Sequence, residues 1–184
     1  MTMALSSLAV DAQQMAHSLV GGMRNRWRHT VGVAQRAAEL AGPLGLDHDL
    51  LVAAAWLHDI GYAEVTHVTG FHPLDGADYL TARDWPDRIA SLVAHHSGAE
   101  FIAAACGLGD RLAAYPDLGG LLADALTYAD QTVGPCGDRV APADRYAEML
   151  HRHGPASWNA KVDHLRRPHL QAVARRVEAH LIAV

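Results

Sequence analysis

Along most of this chain apolar residues recur at intervals of three and four, and the runs break on glycine and proline. That pattern predicts a succession of short amphipathic helices. Residues 6–20 form the first, closed by Gly21-Gly22. A second spans 25–41, with Val33, Ala37, Leu40 and Ala41 on one face, and stops at Gly42-Pro43. The third begins at Asp47, a residue suited to an N-cap, and runs through LLVAAAWLH. It has almost no polar face, which makes it the expected central buried helix, and Gly61 breaks it. Residues 60–71 read as a loop. Pro73 opens a short helix to Ala82, and Pro86 opens another through IASLVAHH. A short helical piece follows at 99–106, then a helix over Leu118–Ala129 with Asp130 at its end. Pro142–His153 and Trp158–Ala183 complete the chain. No stretch alternates with period two, so the expected fold class is all-α.

Several polar residues interrupt this pattern where only apolar side chains are expected. His29 lies one turn before Val33 and so faces the core. His58 and Asp59 end the central helix; His72, the pair His95-His96, and Asp130 sit in comparable settings. Burying such groups without partners is costly, and a metal ion is one of the few partners that could hold many of them together. Taken singly, each has an ordinary reading: a core histidine, a helix-end pair, a polar C-terminal residue. The ordered set carries the weight. Mixed imidazole and carboxylate donors suit Fe, Mn, Ni, Co or Zn better than Ca or Mg. Cys106 and Cys136 lack a CxxC spacing, which argues against a cysteine-zinc site.

Composition narrows the classes. At 184 residues, half of them apolar, the chain suits a single domain over 1–184 with a sizeable core. Its net charge of −5 and the absence of a Lys/Arg cluster argue against duplex nucleic acid as the main partner. No apolar run reaches membrane-spanning length, and the first twenty residues lack the basic start of a signal peptide, so the expected location is cytoplasmic. In the C-terminal helix Leu170, Val173, Val177 and Leu181 form a stripe that should cover the core, with a homodimer interface as the alternative.

The order His29, His58-Asp59, Asp130 resembles the H…HD…D signature of the HD superfamily of metal-dependent phosphohydrolases. The resemblance covers residues 22–135, with the helices of 142–184 packing on that core. Arg26-Trp27-Arg28-His29-Thr30-Val31-Gly32-Val33 is similar to the R-x-x-H-T-x-G-V segment of the bacterial HD dinucleoside tetraphosphate hydrolases. His72-Pro73-Leu74-Asp75-Gly76-Ala77 resembles their H-x-x-x-G-A, His95-His96-Ser97-Gly98 their H-T-T-G, and Leu126-Thr127-Tyr128-Ala129-Asp130 their L-x-x-A-D. The resemblance implies a compact HD-type helical bundle. It also implies that His29, His58, Asp59, His72, His95 and Asp130 ligate one or two divalent transition-metal ions, with Asp59 bridging them and orienting the nucleophile. His96 is then a further ligand, a proton donor or simply exposed, and Arg26 a contact to a substrate phosphate or a solvent-facing charge at a helix start. The implied reaction is hydrolysis of a small phosphate ester or nucleotide. A di-iron oxygenase and a non-enzymatic binding module are the alternatives that the same ligands leave open. Tyr62 stands where the family often has Lys, and the loop QTVGPCGDRV differs from the phosphate-handling stretch of those hydrolases. The doubled histidine also resembles HD proteins that cleave cyclic dinucleotides, without their GYP signature. Gln131, Tyr62 and His67 read as ordinary loop residues, with lining of the pocket mouth as the alternative, and His151, His153, His164, His169 and His180 as surface residues.

Overall fold

A computed structural model describes residues 7–183, all in helices, turns and loops apart from one isolated antiparallel bridge between Val133 and Arg139. The fold is all-α. Residue 6, where the first helix was expected to begin, lies outside the described residues. Helix α1 (Leu8–Val20) starts where Ser7 accepts from the Val10 amide, while Asp49 accepts from the amides of Leu8 and Ala9 at 2.9 and 3.0 Å. The first turn of α3 (His48–Leu57) thus caps α1 as well as its own helix, which Asp47 closes through the Leu50 amide.

Helix α3 is the centre. Leu50 through Leu57 are all buried, and α1 and α2 (Arg24–Ala41) pack against it. The chain continues through α4 (His72–Thr81), α5 (Asp87–His95) and α6 (Ala99–Ala105). A short α7 (Gly109–Leu112) follows, then α8 (Gly120–Gln131), which packs on α2 and α3. Beyond it lie α9 (Pro142–His153), α10 (Trp158–Lys161) and α11 (Asp163–Ile182), the last resting on α8. Val173 and Val177 enter the main core and Leu181 packs against it, while Leu170 joins Tyr146 and Met149 in a smaller apolar cluster.

The differences from expectation are local. Residues 60–71 hold two single 3-10 turns, Ile60–Tyr62 and Glu64–Thr66. Helix α7 was not anticipated, being one turn long. The last predicted helix is two, because the chain leaves helical geometry at Val162 (φ −100, ψ 9). Among the described residues no helix is long and apolar enough to cross a membrane.

Candidate metal centre

The packing of α2, α3 and α8 decides which polar residues meet. His29 projects from α2, His58 caps α3, and Asp130 occupies the penultimate position of α8; all three are buried. His29 Nε2 lies 3.0 Å from Asp130 Oδ1, and His29, His58 and Asp130 offer ligand atoms all within 4.8 Å of one another. A second trio, Asp59, His72 and His96, converges equally closely. Asp59 joins the two. Its Oδ2 is 3.2 Å from His58 Nε2 and 3.7 Å from His29 Nε2, whereas its Oδ1 is 3.3 Å from His72 Nε2. His72 Nε2 and His96 Nε2 are 3.3 Å apart.

Backbone carbonyls fix three of the rings. His29 Nδ1 meets Gly134 O at 3.2 Å, His58 Nδ1 meets Ala55 O at 2.7 Å, and His96 Nδ1 meets Val93 O at 2.6 Å. A carbonyl only accepts, so each Nδ1 donates its proton and each neutral ring turns an Nε2 lone pair inward. Lone pairs and carboxylate oxygens then face one another at 3.0–3.3 Å. Such contacts repel unless a proton or a cation lies among them. His58 Nε2 is a buried atom with no hydrogen-bond partner. Donors bound at the 2.0–2.2 Å typical of a transition metal, in tetrahedral to octahedral arrangement, stand about 2.8–3.6 Å apart. The donor set therefore fits divalent ions, and the carbonyls supply the outer hydrogen bonds that orient metal-binding imidazoles.

Charge follows the same plan. Burial works against ionisation of Asp59, but Arg26 and His58 outweigh it and hold its carboxyl well below the usual range. Burial likewise opposes the charge on Asp130, and His29 and His58 reverse the balance. Burial keeps His72 well below the ordinary imidazole value and brings His96 down to about 4. At His58 burial pulls down, and the neighbouring Asp59 more than compensates, so its pKa is raised.

The expected ligand His95 is not part of this cluster. It is the last residue of α5, and its Nε2 donates to Tyr115 O at 2.8 Å on another face. The correction has a local cause. His96 leaves the helix in extended geometry (φ −62, ψ 149), and Ser97 (φ 54) and Gly98 (φ 68) are left-handed, so the chain turns inward at His96. Ile89 through Ala94 are all buried, as is His96, whereas His95 is half-buried, a distinction set by where α5 ends. The Arg26 guanidinium donates to Asp59 Oδ2 and lines the cleft over the cluster. It also lies over the Tyr62 ring at 3.8 Å, and Tyr62 stacks on His72 at 4.1 Å. Tyr62 is thus a packing element of the site rather than an ordinary loop residue. His67 is exposed, as expected.

Other positioning groups were not legible in advance. Ser97 Oγ donates to Asp130 Oδ2, and Gln131 Nε2 donates to the same oxygen at 3.0 Å and to Ser97 Oγ at 3.2 Å. Gln131 ends α8 and is buried, not in a loop. Buried Asp75 gathers the Thr69 amide and hydroxyl and the Gly70 amide at 2.7–3.0 Å, shaping the approach to His72. Gly61 is required at the turn after Asp59, since a Cβ there would collide with the His72 carbonyl oxygen. The loop 132–140 folds back onto α2, where a side chain on Gly137 (φ 85) would strike Arg28 O at 2.6 Å, and so brings Gly134 O to His29.

A cleft of about 310 Å³ opens over the cluster, lined by Asp59, His72, His96 and Asp130 below and by α9–α11 above. His153, otherwise exposed, stands at its edge; His151, His164 and His180 are exposed and His169 half-buried.

The sequence matches the HD domain family over residues 26–149. The chain belongs to the HD domain family. Its members bind divalent metals and are typically metal-dependent phosphohydrolases. The match reaches past the motif segment into α9. Among similar proteins is a tRNA (cytidine(56)-2'-O)-methyltransferase of Thermoplasma volcanium, 38% identical over 71 residues, which are 39% of this chain and 20% of that protein. A ribonuclease Y of Fervidobacterium nodosum is 40% identical over 77 residues, 42% of this chain and 15% of the relative. Ribonuclease Y 2 of Bdellovibrio bacteriovorus is 33% identical over 96 residues, 50% and 18% respectively. The chain therefore spans a fifth or less of the length of these relatives. No solved structure matches.

Proposed function

We propose that this HD domain is a metal-dependent phosphohydrolase acting on a small phosphorylated molecule at a two-metal centre. One observation carries the reading: one oxygen of Asp59 faces His58 and His29 while the other faces His72. His29, His58, Asp130 and Asp59 would hold one ion, and Asp59, His72 and His96 the other. When bound, paired divalent ions supply Lewis acidity towards phosphoryl oxygens and lower the pKa of water.

The chain's own residues do the rest. Arg26 holds Asp59 in its bridging orientation, and Ser97 and Gln131 hold Asp130. The carbonyls of Ala55, Val93 and Gly134 keep three imidazoles in the ligating tautomer. The cleft of about 310 Å³ is at the low end of small-molecule sites, which supports a metabolite-sized substrate rather than a folded polymer. The similar proteins are by name a ribonuclease and a tRNA methyltransferase; they share with this chain the HD segment, and the family membership is what supports hydrolysis here. The motif resemblance to dinucleoside tetraphosphate hydrolases makes nucleotides the first substrates to try.

The test is phosphate release from p-nitrophenyl phosphate and a nucleotide panel, with Mn²⁺ or Fe²⁺ added. Turnover that a chelator abolishes, that metal restores, and that Asp59→Asn lacks supports the proposal. Metal-loaded protein that releases no phosphate across the panel contradicts it. If that protein consumed oxygen when loaded with iron, the oxygenase alternative would replace it.

A further inference from the structure

The upper wall of the cleft comes from α9–α11 and carries a charge pattern that the metal centre does not use. Arg145, Arg152 and Arg166 all line the cleft. Arg145 is 6% exposed; its Nη1 donates to Glu148 Oε2 at 2.7 Å, its Nη2 lies 3.9 Å from Asp130, and its Nε is buried with no partner. Arg152 gives its Nε to the same carboxylate, at Glu148 Oε1, 2.8 Å away, and its side chain is otherwise 39% exposed. Arg166 is 7% exposed and meets only uncharged groups: Ser97 O at 2.8 Å, Asn159 Oδ1 at 2.7 Å and Met149 Sδ at 3.8 Å. Arg145 and Arg152 thus share one carboxylate, Glu148, and Arg166 has none. Asp130 does not balance them, because it belongs to the metal-facing cluster.

Buried positive charge of this kind calls for an anion, and the arginine fork is matched to phosphate oxygens. The centre below is the wrong place for that anion to be the reacting one. Its ligand atoms lie on the floor, whereas the exposed end of Arg152 belongs to the opposite wall, with Arg145 reaching from that wall to within 3.9 Å of Asp130 Oδ1. We propose that Arg145, Arg152 and Arg166 form a second anion subsite, which binds a phosphate of the substrate other than the one held at the metal centre. The substrate class is then a small molecule with two separate phosphate groups. The inference rests on the phosphohydrolase reading for the role of the floor, and its charge argument stands on the wall alone.

The test uses the full chain as purified, with calorimetric titration of two probes that cannot be hydrolysed. Propylphosphonate offers one anionic group, and propane-1,3-bisphosphonate adds a second on a flexible linker. Wild type should prefer the bisphosphonate by about tenfold or more. Arg152→Gln should reduce that preference about tenfold while leaving propylphosphonate affinity within about twofold. Arg145→Gln should act in the same direction. Arg152 is surface-exposed, so its variant carries the test if the buried Arg145 variant does not fold, with a circular-dichroism melt to check each. An unchanged preference in Arg152→Gln, or an equal loss for both probes, overturns the subsite. Because the probes report binding only, the two readings fail separately. A chain that shows the split but cleaves no ester keeps the subsite and loses the hydrolase reading. A chain that cleaves monophosphates without the split does the reverse.

Discussion

Ser97 holds one oxygen of Asp130, and replacing it separates two energies that the native structure superimposes. Its hydroxyl donates to a buried carboxylate, and its backbone is held left-handed at φ 54, ψ 37. The Thr127 hydroxyl accepts its amide at 3.0 Å and Arg166 Nε donates to its carbonyl at 2.8 Å, so the backbone cannot relax. Ser97→Ala removes a hydrogen bond to a charged group, a loss of about 1.5–3 kcal/mol, and keeps the backbone strain. Ser97→Gly removes the same bond but relieves a left-handed penalty of about 1–2 kcal/mol. The alanine variant should therefore melt about 4–10 °C below wild type, and the glycine variant several degrees above the alanine one. Both should bind metal about 10- to 100-fold more weakly, because Asp130 keeps only Gln131 Nε2 of its two side-chain donors. Thermal melts by circular dichroism and competition with a fluorescent chelator measure these quantities. Wild-type stability and metal affinity in Ser97→Ala, or a glycine variant no more stable than the alanine one, would refute the reasoning.

Other expectations follow from the same geometry. His96→Ala should weaken one of the two proposed metal sites by more than the roughly 10- to 100-fold that outer hydrogen bonds control, whereas His95→Ala should leave metal content unchanged and cost about 1 kcal/mol for its bond to Tyr115 O; elemental analysis and melts decide. Gly61→Ala should destabilise the chain by about 1–3 kcal/mol and lower occupancy on the His72 side, since the added Cβ displaces the start of α4. Chelator treatment should lower the melting temperature, by an amount equivalent to about 4 kcal/mol if free metal stood a thousandfold above its dissociation constant. Metal uptake should weaken as pH falls through about 6.5, because a protonated imidazole cannot ligate. His58, whose pKa is raised, should be lost first, and His72 and His96, both held down by burial, should resist longest.

How far the sequence could be read depended on how local each cause was. Helix α3 was legible because its burial on all sides leaves an uninterrupted apolar run, and Asp47 caps it from one residue away. His29, His58, Asp59 and Asp130 were legible because each is a polar residue at a helical position that the apolar pattern assigns to the core. The choice between His95 and His96 was missed because the resemblance was matched residue by residue, while the deciding fact is the end of α5 one residue earlier. Ser97 and Gln131 act through contacts that exist only once α5 and α8 are packed. Arg145 and Arg166 lie at or beyond the end of the motif-bearing segment, and no short-range pattern says that α9 and α11 return over the cleft.

The most direct test of the central claim is anomalous X-ray scattering from crystals of the chain as purified. The account predicts two peaks flanking Asp59, one within about 2.0–2.2 Å of His29 Nε2 and His58 Nε2, the other equally close to His72 Nε2 and His96 Nε2. Metal-loaded crystals with no peak beside Asp59, or with His95 as a ligand in place of His96, would contradict it.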